Sequence, residues 1–96
     1  MSDRVHLLSI IDMLKQRKSN ICCTELSKLL TELGFEVKDG KLGGHKVVTH
    51  DYIEGFLSTS FNCGHGKNPQ IKPIYISKLR KVIEQYIDDI DAYLKR

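Results

Sequence analysis

Gly34-Phe35-Glu36-Val37-Lys38-Asp39-Gly40, followed two residues later by Gly43-Gly44-His45-Lys46-Val47-Val48-Thr49, is the stretch that decides the fold. Phe35 and Val37 alternate with Glu36 and Lys38, the period of a half-buried strand. Asp39-Gly40 is a hairpin signal, because a tight two-residue turn needs positive φ at both positions. A second strand is expected from Gly44 or His45 through Thr49. A third is expected from about Phe56 to Phe61, after a turn at Tyr52 to Gly55, with Leu57 and Phe61 on one face.

Helical periods flank these strands. Cys22, Leu26, Leu29, Leu30 and Leu33 predict a helix over 22–33, ended by Gly34 in the left-handed position. Val5, Leu8, Ile11 and Leu14 recur at three-residue steps, with Leu7 and Ile10 beside them, and predict a helix over 3–18. Ser2 or Asp3 can cap its start, and Arg17-Lys18 suits its negative end. Residues 62–73 carry Gly64, Gly66, Pro69 and Pro73 and read as loop. A last helix is expected from Ser77, with Leu79, Ile83, Tyr86 or Ile87, Ile90 and Leu94 as its stripe. The order helix, helix, strand, strand, strand, helix is an α+β class. Its economical form is an antiparallel three-stranded sheet with helices packed on one face.

Ninety-six residues suit a single domain, with residues 1–20 as a helical extension on a core of 21–96. Hydrophobic residues are 41% and charged residues 28%, ordinary for a globular chain and unlike a disordered one. The longest apolar runs are only a few residues, as in Leu7-Leu8 and Ile10-Ile11, far below the about 20 residues of a membrane span. No secretory signal pattern opens the chain. Three cysteines, two of them adjacent, suggest free thiols in a reducing cytoplasm. The net charge of +3 is small, but Lys67, Lys72, Lys78, Arg80 and Lys81 follow one another with no acidic residue between. Such a patch fits either a phosphate-binding surface or a solvated helix face.

Gly43-Gly44-His45 is the segment with chemical content. Two glycines free the backbone for close approach of a ligand, and an imidazole exchanges protons near neutral pH. That is what RNA transesterification needs: a base for the 2′-hydroxyl and an acid for the leaving 5′-oxygen. Lys41 and Lys46 flank the histidine and could stabilise charge developing on the phosphate. The same residues equally describe a tight turn before a structural histidine. Alternation groups His45 with Val47 and Thr49, the more apolar set of this strand, which points His45 toward the core. His45, His50, Cys63 and His65 are four zinc-ligand types, but in no usual zinc spacing. Cys63 near His65 also lacks the surroundings expected of a thiol nucleophile.

Three pieces, in order, resemble the HicA-like toxin family of bacterial type II toxin–antitoxin systems. The first is Glu25-Leu26-Ser27-Lys28-Leu29-Leu30 leading to Gly34-Phe35-Glu36. Next is Gly43-Gly44-His45, heading a strand that ends at His50. Last is His65-Gly66-Lys67-Asn68, running into Ile71-Lys72-Pro73-Ile74-Tyr75-Ile76-Ser77-Lys78-Leu79-Arg80. The likeness covers about residues 24–86. It implies a double-stranded-RNA-binding-domain-like α-β-β-β-α fold with an additional N-terminal helix. It also implies metal-independent cleavage of mRNA with no cofactor, His45 as catalytic residue, and inhibition by a HicB-like antitoxin. RNA contacts are then expected at Lys41, Gly43, Gly44, Lys46, Lys67, Lys72 and Lys78. The chain departs from the family in having Gly44 where serine is usual, and in its first helix, for which packing on the core, homodimerisation or antitoxin contact are the open roles. A non-catalytic RNA-binding domain and a protein-interaction module are the rival functions.

Overall fold

A computed structural model describes residues 3–17, 21–64 and 69–96. Among them, four helices and one three-stranded antiparallel sheet follow in the order α1 (Asp3–Gln16), α2 (Cys23–Glu32), β1 (Glu36–Asp39), β2 (His45–Thr49), β3 (Thr59–Asn62), α3 (Pro73–Gln85) and α4 (Ile87–Lys95). The sheet order is β1-β2-β3, with Val37 opposite Val48 and His45 opposite Asn62.

The buried stripe of α1 is Leu7, Ile10, Ile11 and Leu14, spaced i, i+3, i+4, i+7, whereas Val5 and Leu8 of the expected three-residue series are exposed. A strict three-residue step drifts around a helix of 3.6 residues per turn, so it cannot hold one face. α1 packs on α3 and α4, and its buried residues belong to the same cluster as Leu26, Leu30, Phe61, Leu79, Ile83 and Ile90. It is an integral layer of the core. Arg17 fastens the end of α1 to α2 by a two-pronged contact with Glu25 at 2.5 and 3.0 Å, and that hydrogen bond raises the arginine pKa further. At the other end Arg4 reaches Asp88 and Asp91 of α4 at 2.8 and 3.3 Å.

Four sequence expectations are corrected. The hairpin does not turn at Asp39-Gly40. Gly40 N–H still donates to His45 O across the ladder, so the chain reverses through residues 41–44, and Gly44 takes the positive φ. β3 begins at Thr59, not Phe56. Leu57 is 88% exposed ahead of it, while Phe56 packs edge-on against Phe35 and Tyr86 from the preceding loop. The last helix starts at Pro73, where proline's fixed φ suits the first helical position and its missing N–H is not needed. The same stripe is divided at Tyr86 (φ −106°, ψ 23°), so the final helix is two helices. The bend lets Ile90 enter the core and Tyr93 meet the edge of the His50 ring.

The expectation of free thiols holds for Cys22 alone, because Cys23 and Cys63 form a disulfide across 40 residues of sequence. Spacing could not show this, since the two meet only when β3 returns beside the start of α2. Backbone pairing reinforces the junction: Cys23 N–H donates to Pro69 O and Ile71 N–H to Ile21 O. No helix among the described residues is long and apolar enough to cross a membrane.

Replacing Cys23 and Cys63 together by serine is expected to lower the free energy of unfolding by about 3–4 kcal/mol, from the loop closure the bond imposes on the unfolded chain. Urea titration of the two proteins measures it. A loss below about 1 kcal/mol would mean that the packing around the junction makes the covalent link redundant.

Candidate functional site

His45 opens β2, and the side of the sheet it occupies follows from its neighbours. Val48 and His50 are buried, and so is Phe61, which stands opposite Lys46. Alternation therefore puts Lys46, Val48 and His50 on the core face, and leaves His45, Val47 and Thr49 half-buried on the other. This reverses the expectation for His45. The apolar count of β2 alone favoured the wrong face, because Phe61 of β3 decides it.

On that outer face the His45 ring is held by its cross-strand partner. Nδ1 lies 3.1 Å from Asn62 Oδ1, and Asn62 Nδ2 donates to the Tyr75 hydroxyl at 2.9 Å. The Tyr75 hydroxyl can donate as well as accept, so this contact holds the amide in place with either of its ends toward the ring. With the amide oxygen toward the ring, Nδ1–H donates to it, and that tautomer leaves the Nε2 lone pair unused by Asn62. Tyr75 belongs to the first turn of α3, which reaches β3 at the sheet edge. From the next turn Lys78 Nζ donates to Ser60 O at 3.1 Å. A three-residue relay of imidazole, amide and phenol thus joins β2, β3 and α3.

Two glycines make room for it. Gly44 has φ +80°, and a Cβ there would stand 2.8 Å from Gly64 O. Its carbonyl accepts the Cys63 N–H at 2.7 Å. Both the backbone conformation and the close approach disfavour a side chain there. A Cβ on Gly40 would run into the His45 ring, so the ring lies directly over that residue.

The other expected site residues are scattered. Lys41 and Gly43 sit exposed in the hairpin loop, and nothing lies within 4 Å of where a Gly43 Cβ would be. Lys46 pairs with Asp39 on the core-face side of the sheet, turned away from the imidazole. Lys72 is exposed at the N-cap of α3. Lys67 and His65 lie outside the described residues. The zinc quartet does not assemble: Cys63 is bonded to Cys23, and His50 is buried on the opposite face from His45. His50 Nε2 donates to Leu33 O at 2.9 Å, satisfying a carbonyl at the end of α2, with Phe35 and Tyr93 edge-on at 4.7 and 5.1 Å. Its role is structural. Among the described residues no group of three or more metal-ligating side chains converges.

Asn62 and Tyr75 were missed in the sequence because β3 was expected to end at Phe61. Only the register that sets Asn62 opposite His45 reveals them. No protein-family model, no curated protein and no solved structure matches the chain.

Gly44→Ser is expected to destabilise the protein by about 1–3 kcal/mol from left-handed strain and the clash with Gly64. Gly43→Ser should stay within about 0.5 kcal/mol, since its surroundings are open. Chemical denaturation of the pair is the test, and equal stabilities would remove the steric account of Gly44.

Proposed function

We propose that the protein is a metal-independent endoribonuclease toxin of the HicA-like type, built on a double-stranded-RNA-binding-domain-like sheet and acting on mRNA in the cytoplasm. The observation that carries this reading is the half-buried His45 imidazole on the outer face of the sheet, with Nδ1 3.1 Å from Asn62 Oδ1. In the proposed reaction Nε2 takes the proton of a ribose 2′-hydroxyl. The 2′-oxygen bonds to the adjacent phosphorus, the bond to the 5′-oxygen breaks, and that oxygen takes a proton from solvent. The products are a 2′,3′-cyclic phosphate and a free 5′-hydroxyl. Asn62 holds the ring and stabilises the imidazolium formed, as a fixed acceptor on the remote nitrogen does for any imidazole base. Tyr75 holds Asn62.

Lys41, Lys72 and Lys78 are the described cations proposed to meet RNA phosphates, joined by Lys67 from outside the described residues. Lys46 contributes less, being paired with Asp39. A HicB-like antitoxin is the proposed inhibitor, covering His45 and the basic stretch from Lys67 to Lys81. Homodimerisation through α1 is left with its exposed Val5 and Leu8. One observation favours the rival of RNA binding without cleavage: His50, the other histidine of this segment, is buried on the core face and cannot serve as the acid.

His45→Ala is expected to abolish cleavage of an mRNA substrate and growth inhibition while leaving the fold intact. Asn62→Ala should slow cleavage about tenfold to a hundredfold through loss of ring orientation, with RNA binding unchanged. Cleavage should survive EDTA and also thiol reductants, because the His45–Asn62–Tyr75 relay does not include the disulfide. Full activity in His45→Ala, or strict dependence on added metal, would sink the proposal, and binding without cleavage would select the rival. Changing Lys67, Lys72 and Lys78 to glutamine should reduce the slope of log affinity against log salt by roughly 0.7 for each single-strand phosphate no longer neutralised.

A further inference from the structure

Where the C-terminal half of α1 runs beside α3, the two helices leave a groove of about 990 Å³. Its floor is Leu14 and Ile76, both buried, and its lip is Ile74, which is 72% exposed although it is a β-branched apolar residue. Lys15, Lys78, Arg80 and Lys81 are its cations, and no acidic side chain lines it among the described residues. Arg80 is engaged by Glu84, whereas Lys15 and Lys81 are exposed and make no ion pair among the described residues. A smaller hollow of about 350 Å³ continues from Lys15 along the same cleft, lined by Leu8, Ile11 and Ile87 with Asp12 and Glu84. Both hollows are lined by apolar side chains and share Lys15; of charged groups the larger adds only cations, and the smaller adds Asp12 and Glu84, the latter paired with Arg80.

We infer that this cleft is a docking site for one amphipathic helix of a protein partner, with carboxylates at the end over Lys15 and Lys81 and neutral or basic residues at the end over Asp12 and Glu84. The lining decides the class of occupant. Single-stranded nucleic acid is gripped by rings on which bases stack, and the lining here is aliphatic. A helix in a groove instead uses aliphatic anchors at i, i+3, i+4 and i+7, and the polar change along the cleft fixes its direction. The rim cations raise the association rate of an acidic partner, and apolar burial of Ile74 slows its release. This inference does not rest on the ribonuclease reading: the cleft shares Lys78 with the proposed RNA surface and Lys81 with the stretch the antitoxin is proposed to cover, but not His45, Asn62 or Tyr75.

The test uses the full chain and a fluorescein-labelled synthetic helix of about four turns, with leucine at i, i+3, i+4 and i+7, glutamates toward one end and lysines toward the other. Fluorescence anisotropy compares it with a scrambled peptide of the same composition. The striped peptide should bind at least about tenfold more tightly, and Ile74→Asp should remove that preference. Lys15→Glu with Lys81→Glu should weaken binding by a similar factor, and a peptide with lysines in place of those glutamates should recover it on the double variant. All three substitutions are on exposed side chains, and circular dichroism confirms folding. Equal binding of striped and scrambled peptides, or no effect of the variants, overturns the inference. So does loss of binding to a fluorescent oligouridine on the same variants with no peptide affinity, which would assign the cleft to RNA. Concentration-dependent self-association abolished by Ile74→Asp would assign it instead to a second copy of this chain.

Discussion

Burial of Val48 and Phe61 on one side of the sheet is the constraint on which the arrangement depends. Side chains alternate strictly along a strand, so committing these two to the core commits every other residue of β2 and β3. Lys46 and His50 follow Val48 to that side, Lys46 pairing with exposed Asp39 and His50 Nε2 bonding Leu33 O while its buried Nδ1 has no partner among the described residues. His45 and Asn62 are forced outward together, and being directly opposite they meet. A shift of one residue in register would bury the imidazole and expose Phe61. The candidate site is therefore a consequence of core packing before it is anything chemical.

A second constraint operates at the junction between the start of α2 and the end of β3. The Cys23–Cys63 bond, the Cys63 N–H to Gly44 O bond and the close approach of Gly44 to Gly64 lie within two residues of Asn62 and His45. Covalent and backbone links hold the mouth of the hairpin, while the side-chain relay to Tyr75 holds the candidate base itself. Rigid placement of a general base by packed and hydrogen-bonded neighbours is what separates a working site from a histidine that is merely present.

The helical layer offers a different surface. α1 and α3 share a buried seam through Leu14 and Ile76, but their outer shoulders diverge and leave the cleft with its rim lysines and exposed Ile74. One end of α3 thus serves two neighbours. Tyr75 reaches β3 and Ile74 and Lys81 line the cleft, while Lys78 bonds Ser60 O and also lines the cleft. Events at the sheet edge and in the cleft act on the same short helix.

Sequence by itself determined the α+β class, the existence of every strand, the end of α2 at Gly34 and the burial of Leu26, Leu30, Leu79, Ile83 and Ile90, because these rest on local periods and on glycine's backbone freedom. It also singled out Gly43-Gly44-His45 as the segment worth chemical attention. It misplaced the turn of the first hairpin, the start of β3 and the stripe of α1, since Asp39-Gly40, Phe56-Leu57 and the three-residue series carry signals that neighbours override. Tertiary structure alone decided that His45 faces outward, that Asn62 and Tyr75 hold it, and that Cys23 meets Cys63. These pairings join residues 17, 13 and 40 positions apart. No local pattern encodes such meetings, because they exist only once hydrophobic burial has fixed which face of each strand is inside.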